Sequence, residues 1–276
     1  MTTPPLSVVI PAYNNARTLA ETIDSVLAQE GIDFELIVAD HSSTDGSDAV
    51  LDGYRDDARV TILTTASGGG AERNWNRVTA EAHGEFIKLV CGDDVLRPGI
   101  LARQVALLRT SGAVLTACRR DVTDADGKVL MPAWGLRGLG APMDGARAAA
   151  KAVRAGSNLF GEPASVTMRR DSLERAGGWD ATFPYLIDQA TYSRVLLDGT
   201  FVPDSEVGAT FRLSDSQWSA VLIASQADQA RRFHRWFREE HPSVVSAWDL
   251  RIGNFRASVM ARLRRLSYTV LRWRNR

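Results

Sequence analysis

Four short apolar runs constrain this chain more than any other feature: LSVVIPAY at 6–13, FELIVA at 34–39, RVTILT at 59–64 and EFIKLVC at 85–91. Each is short and rich in β-branched residues, so each reads as a buried strand. Polar turn formers end three of them: Asn14 after the first, Asp40 after the second, and Gly92-Asp93-Asp94 after the fourth. Between the runs, 16–29 places Leu19, Ile23, Val26 and Leu27 at helical spacing, 47–55 reads as helical, and a helix covers 71–83. Strands alternating with helices imply parallel pairing with right-handed crossovers. In such an α/β sheet the ligand lies beyond the carboxyl ends of the strands. Tyr13 and Asn14, Asp40, and Asp93 with Asp94 are therefore expected on one edge.

The second half is less regular. A helix is predicted at 99–110, a strand at 113–118, a glycine- and proline-rich mobile loop at 132–145, a helix at 186–198, a short strand at 207–213 and a long charged helix at 220–240. The two cysteines, Cys91 and Cys118, offer neither a disulfide framework nor zinc spacing. No run reaches the length of a membrane span, and the N-terminus lacks the pattern of a signal peptide. A cytoplasmic protein is expected.

The carboxylates carry the chemistry. Asp93 and Asp94, adjacent after an apolar strand, repel each other unless a cation lies between them. Oxygen ligands of this kind suit Mg²⁺ or Mn²⁺; the plainer alternative is a turn with helix-capping aspartates. Asp40 can accept a hydrogen bond from a nucleobase or a ribose, or it can open the turn DHSSTDGS, a part that Asp45 fits better. Arg73, in GGGAERNWN, can grip a pyrophosphate or lie solvated on a helix. The glycines beside it do not form a dinucleotide fingerprint, which belongs directly after the first strand. Asp188, in IDQATYSRVLLDG, can be a general base or a helix N-terminal aspartate.

Taken in order, VVIPAYN, Asp40 with SSTDGS, GG-x-x-RN, GEFIKLVCGDD, ASVTMRRDSLERAGGWD, IDQATYSRVLLDG and FRLSDSQWS resemble the family 2 glycosyltransferases of the GT-A fold over about residues 6–219. The resemblance implies a GT-A-type, Rossmann-like, mostly parallel sheet flanked by helices, with a C-terminal helical extension. It implies a catalytic domain at 1–219, with a nucleotide-binding half at 1–95 and an acceptor-side half at 96–219, followed by a helical region at 220–276. It also implies roles. Pro11, Ala12, Tyr13, Asn14 and Asp40 would hold the nucleoside. Arg73 would contact the diphosphate or the nucleoside side of the pocket. Asp93 would meet the ribose and, with Asp94, the metal. Asp188 would be the base of an inverting displacement. Trp179, Asp180 and Trp218 would lie on the side of the donor sugar and acceptor. Four positions depart from the family pattern: Cys91 and His41 stand where acids are usual, Ile187 replaces the acid before the base, and Ser214 replaces a histidine. No Q-x-x-R-W signature of the processive members is present, which favours single addition.

The expected substrates are a nucleotide-diphosphate sugar, with UDP as the default, and a glycan or lipid-linked acceptor of cell-envelope or polysaccharide synthesis. Two other functions remain open: a nucleotide-sugar-binding scaffold without turnover, and a sugar nucleotidyltransferase, for which PAYNN supplies no triphosphate loop.

Net charge is zero, from 33 basic and 33 acidic residues, but Arg251 to Arg276 holds eight arginines and no acid. The body is left with 25 basic residues against 33 acidic ones. In this tail apolar residues recur at 252, 255, 259, 263, 266, 270 and 273, one helical face. An anionic membrane surface is the expected partner, with the enzyme peripheral on the inner face of the membrane. Packing on the catalytic domain and a polyanionic or protein partner are the alternatives. Nucleic acid is not expected, because the body is acidic.

Overall fold

The computed structural model describes residues 4–213 and 225–274. Strands β1 (Leu6–Ala12), β2 (Phe34–Asp40), β3 (Val60–Thr64) and β4 (Phe86–Leu89) fall on the four apolar runs. Helices α1 (Leu19–Leu27), α2 (Ser47–Asp52) and α3 (Gly70–Ala80) lie between them. These strands pair in parallel in the order β3-β2-β1-β4. Side chains alternate across the sheet, so each face takes every second residue. Val8, Ile10, Leu36 and Val38 pack into one apolar cluster with Leu19 and Ile23 of α1, while Val9, Ile37 and Ala39 join the other with Val78 of α3. The sheet is thus buried on both faces, as continuous apolar strands require.

The second half of the sheet, with its helices, comprises β5 (Val95–Leu96), α4 (Ile100–Ser111), β6 (Leu115–Thr123), β7 (Val129–Trp134), β8 (Met143–Asp144), α5 (Gly145–Ala155), β9 (Val166–Arg169), α6 (Arg170–Arg175), α7 (Ile187–Val195) and β10 (Thr200–Arg212). The full order is β3-β2-β1-β4-β9-β6-β10-β5. Antiparallel pairing enters with this half, where β9 runs against both β4 and β6. Among the described residues two helices follow, α8 (Gln226–Glu240) and α9 (Ala247–Arg274).

Several elements differ from the sequence expectation. The strand predicted at 207–213 is the end of the longer β10, whose register against β6 shifts around Val207. Pro203 and the polar run Asp204-Ser205-Glu206 break its alternation, so its first half carries no strand signal. The segment 132–145 holds the end of β7, all of β8 and turns around the buried Leu136 and Leu139. Its glycines serve those turns, Gly135 with φ 124° and Gly138 with φ 77°. Helix α5 buries a stripe of small residues, Ala148, Ala149, Ala152 and Val153, a stripe too weakly apolar to stand out in the sequence. The predicted helix at 220–240 is described from Gln226 on. Residues 220–224 lie outside the described residues.

The C-terminal helices share the core of the sheet-bearing body. Phe233 and Phe237 of α8 and Ala257 of α9 belong to the same apolar cluster as Trp179, Phe183, Tyr192 and Phe201. Among the described residues no helix is long and apolar enough to cross a membrane.

Candidate active site

The carboxyl ends of β1, β2 and β4 form one edge, with Ala12 in register with Asp40. Pro11 and Ala12 close β1, and the chain then turns through Tyr13 and Asn14, where Asn14 takes a left-handed φ of 51°. The turn is tied to the loop after β2: the Asn14 N–H donates to Ser43 Oγ at 2.9 Å, and the Thr44 N–H donates to Asn14 Oδ1 at 2.9 Å. Asp45 ties its own turn to the loop after β1, accepting from Ser47 Oγ at 2.6 Å and from the Ala16 N–H at 2.8 Å. Gly92 lies close to the β1 loop on this edge: a Cβ there would meet Asn15 Oδ1 at 2.7 Å and displace that side chain. That close approach lets Thr18 Oγ1 donate to the Gly92 carbonyl at 2.8 Å, drawing the β4 loop against the β1 loop.

Asp40 is buried. Its Oδ2 accepts from the Ser43 N–H at 3.1 Å, while its Oδ1 has no hydrogen-bond partner. Tyr13 is 59% exposed and presents its ring 5.8 Å from that of His41, whose Nε2 bonds the Gly68 carbonyl at 2.9 Å. Arg73 is exposed and bends back over its own glycine loop, donating to the Ser67 carbonyl at 3.1 Å. Its neighbour Asn74 is the buried residue. Asn74 Nδ2 donates to the carbonyls of Ala12 at 3.2 Å and Ala39 at 3.0 Å, and its Oδ1 accepts from Thr65 Oγ1 at 2.6 Å. It staples the ends of β1 and β2 to the loop after β3.

Cys91, Asp93 and Asp94 present ligand atoms that all lie within 4.8 Å of one another. Asp94 is fully buried; its Oδ1 accepts from the Arg212 N–H at 3.3 Å, and its Oδ2 has no partner. Burial pushes the Asp94 carboxyl well above the ordinary range, and Asp93 and Glu162 push it further. Burial likewise raises the Cys91 thiol, with added repulsion from Asp94, Asp93, Asp188 and Glu162. One thiol thus feels the carboxylates of two motifs far apart in sequence. A buried carboxylate oxygen without a partner, beside a second carboxylate, fits a hard divalent cation. The Cys91 thiol adds a softer donor to the set.

Asp188 opens α7. Its Oδ2 accepts from Asn158 Nδ2 at 2.8 Å and its Oδ1 from the Gln189 N–H at 2.7 Å. Desolvation, with the negative charge of Glu162 adding, pushes it up to about 6. Glu162 pairs with the buried Arg120, whose NH2 donates at 3.0 Å. The guanidinium is seated between glycines: a Cβ at Gly135 would meet Arg120 NH1 at 2.6 Å, and one at Gly161 at 3.1 Å. Arg212, at the end of β10, donates to the Asp93 carbonyl at 3.2 Å and pairs with Glu21. The last long strand is thereby latched to the acidic loop.

The structure gathers Asp93, Asp94 and Asp188 around common charges and sets Asp40 and the Tyr13 turn on the adjacent strand ends. The indole of Trp179, expected beside a sugar, is core: it is 1% exposed, donates to Thr79 Oγ1 at 2.9 Å and packs edge-on against Trp75. Asp180 closes a turn, accepting from Thr182 and from Arg194. Trp218 and Ser214 lie outside the described residues. Sequence reasoning missed Glu162, Arg120 and Asn158, which have no periodic signal and meet Asp188 and its surroundings only through the fold.

Comparison with known proteins gives the same picture. The profile of Glycosyl transferase family 2 matches residues 7–177. A succinoglycan biosynthesis protein, ExoO, of Rhizobium meliloti is 34% identical over 46% of this chain and 36% of its own length. An uncharacterized protein of Mycobacterium tuberculosis is 31% identical over 72% of this chain and 65% of its own. The chain thus spans from about a third to two thirds of these two relatives. Among solved structures, Staphylococcus aureus TarS 1–349 in complex with UDP-GlcNAc superposes with a TM-score of 0.63, at 15% identity, over 87% of this chain and 73% of that one. The mannosyltransferase PcManGT of Pyrobaculum calidifontis, in complex with GDP-Man and Mn²⁺, gives 0.60 at 16% identity over 98% and 81%. With its GT-A fold and a family profile that matches most of its length, this chain belongs to glycosyltransferase family 2.

Proposed function

We propose that the protein transfers a sugar from a nucleotide-diphosphate sugar, a UDP-sugar by preference, to a hydroxyl of a glycan or lipid-linked acceptor with inversion at the anomeric carbon. The observation that carries this reading is the pairing of two features at one edge. Asp94 keeps a buried oxygen without a partner beside Asp93, and the desolvated Asp188 stands in the same electrostatic neighbourhood.

The residues divide the work. The open Oδ1 of Asp40 accepts from the nucleobase, and the Tyr13 ring lines the nucleoside slot. Asp93 and Asp94 would hold Mg²⁺ or Mn²⁺. A divalent cation bound there supplies charge that stabilises the nucleoside diphosphate as it leaves. Asn158 and the Gln189 N–H fix the carboxylate of Asp188, which takes the proton of the acceptor hydroxyl as that oxygen attacks. A carboxylate titrating near 6 is ionised at neutral pH yet more basic than an ordinary one. Arg120 offsets the charge of Glu162 within this acidic pocket.

The relatives support the substrate class. One is named a UDP-Glc:alpha-D-GlcNAc-diphosphoundecaprenol beta-1,3-glucosyltransferase, WfgD of Escherichia coli, at 30% identity over 37% of this chain and 40% of its own length. A scaffold without turnover is the second reading, favoured by Cys91 at the usual position of an acid. Release of nucleoside diphosphate from a UDP-sugar decides between them. We expect release that depends on Mn²⁺ or Mg²⁺ and falls at least about 100-fold in Asp93→Asn. Binding without release, across a panel of sugars and acceptors, would establish the scaffold instead, and pyrophosphate release from a nucleoside triphosphate would indicate a nucleotidyltransferase.

A further inference from the structure

Helix α9 has two faces of different character. Toward the body it presents small residues: Gly253, Ala257 and Ala261 are buried. A Cβ on Gly253 would meet the Val153 carbonyl oxygen of α5 at 2.1 Å. Arg154 pairs with Asp249 at 3.1 Å, and His234 of α8 bonds Asn254 at 3.0 Å, which fixes this face on α5 and α8. The opposite face is apolar and open. Trp248 is 62% exposed, Phe255 71% and Val259 37%, with Ile252 between them half-buried. At 100° per residue these four fall within a sector of roughly 60°. In the sequence the apolar spacing continues with Leu263, Leu266, Val270 and Trp273. Arg251, Arg256 and Arg262 are exposed along its two margins, Arg256 also donating to the Arg154 carbonyl at 3.2 Å.

Over the described positions 252, 255 and 259, the stripe that the sequence singles out therefore does not dock the helix on the body. Small residues do that, and these positions are left facing outward.

We propose that α9 seats the enzyme on an anionic lipid surface, with Trp248, Ile252, Phe255 and Val259 entering the interface and Arg251 and Arg262 meeting the headgroups. Charge selects this occupant. An apolar stripe edged by cations and free of acids from Arg251 onward matches a negatively charged bilayer face. Two such stripes face to face would bring rows of arginine together, which disfavours a second copy. Aromatic rings at the open positions suit the boundary between headgroups and acyl chains. The surface does not depend on the assignment of the reaction.

Point variants are the right test, because removing residues 251–276 would also uncover α5 and α8. The full chain is sedimented with vesicles of pure phosphatidylcholine and with vesicles containing phosphatidylglycerol. Binding to the anionic vesicles, weakened by salt, is expected. Trp248→Ser with Phe255→Ser, and separately Arg251→Glu with Arg262→Glu, should each weaken it about tenfold or more. Melting temperature and hydrolysis of the sugar nucleotide, read on the same variants, should not change, so loss of the reaction and loss of the surface are told apart. Equal binding to neutral vesicles, or anionic binding that both double variants leave intact, overturns the proposal. So does a concentration-dependent dimer that Trp248→Ser with Phe255→Ser dissolves, without vesicle binding, since the face would then be a self-interface.

Discussion

Asp188 and Glu162 are two carboxylates with opposite fortunes in the sequence and a shared role in the structure. Asp188 stands at the start of a helix in a polar motif and can be found by reading. Glu162, in a loop between Pro163 and a glycine, cannot; only the fold brings its charge to bear on Asp188. A pH profile follows from the pair. As the proposed base, Asp188 must be ionised to accept a proton, so kcat should fall as pH drops through about 6 and stay level above it. Asp188→Asn should reduce kcat by about 100- to 10,000-fold, with little change in donor KM. Glu162→Gln removes a negative charge that raises Asp188, so the acid limb should move to lower pH. A loss of rate at every pH, with the limb unmoved, would mean that Glu162 only supports the structure. Asn74 gives a related lesson. It adjoins Arg73 in the same motif, yet it is the asparagine that is buried and stapled to two strand ends, and local sequence does not say which neighbour turns inward.

At the scale of elements, the first half of the sheet was legible because its strands are uninterrupted apolar runs buried on both faces. Even there, Lys88 lies within β4, its buried amine satisfied by Gln104 at 2.9 Å and the Val166 carbonyl at 3.2 Å. The later elements were harder for specific reasons. β9 is four residues long and enters the sheet against its neighbours' direction. Helix α5 buries alanines, whose apolar contrast with the surroundings is small, and its clearest signals are caps: Asp144 accepts from the Arg147 N–H, and Gly156 ends the helix at φ 66°. The joint between α5 and α9 also depends on small residues, and it yields a prediction against the usual rule. Glycine to alanine inside a helix ordinarily stabilises by up to about 1 kcal/mol. Gly253→Ala should instead lower the melting temperature, because the new methyl group would press on the Val153 carbonyl. Overpacking of this kind costs about 1–3 kcal/mol. A raised melting temperature would show that the two helices are not joined as described.

The whole molecule gathers polar groups from separate strand ends to one edge of a sheet whose two faces are covered by helices. Asp40 from β2 and the acidic loop after β4 flank the turn from β1, and in the proposed function they grip the base and the phosphates of one nucleoside diphosphate. Binding of a UDP-sugar, followed by titration calorimetry with and without Mn²⁺, tests this directly, because it asks whether the two carboxylates act on one ligand. The account predicts that Mn²⁺ strengthens binding to the wild-type protein. It also predicts that Asp40→Asn and Asp93→Asn each weaken binding about tenfold or more, the effect of losing one charge-assisted contact, while Asp188→Asn leaves it nearly unchanged. Wild-type affinity in both Asp40→Asn and Asp93→Asn would contradict it.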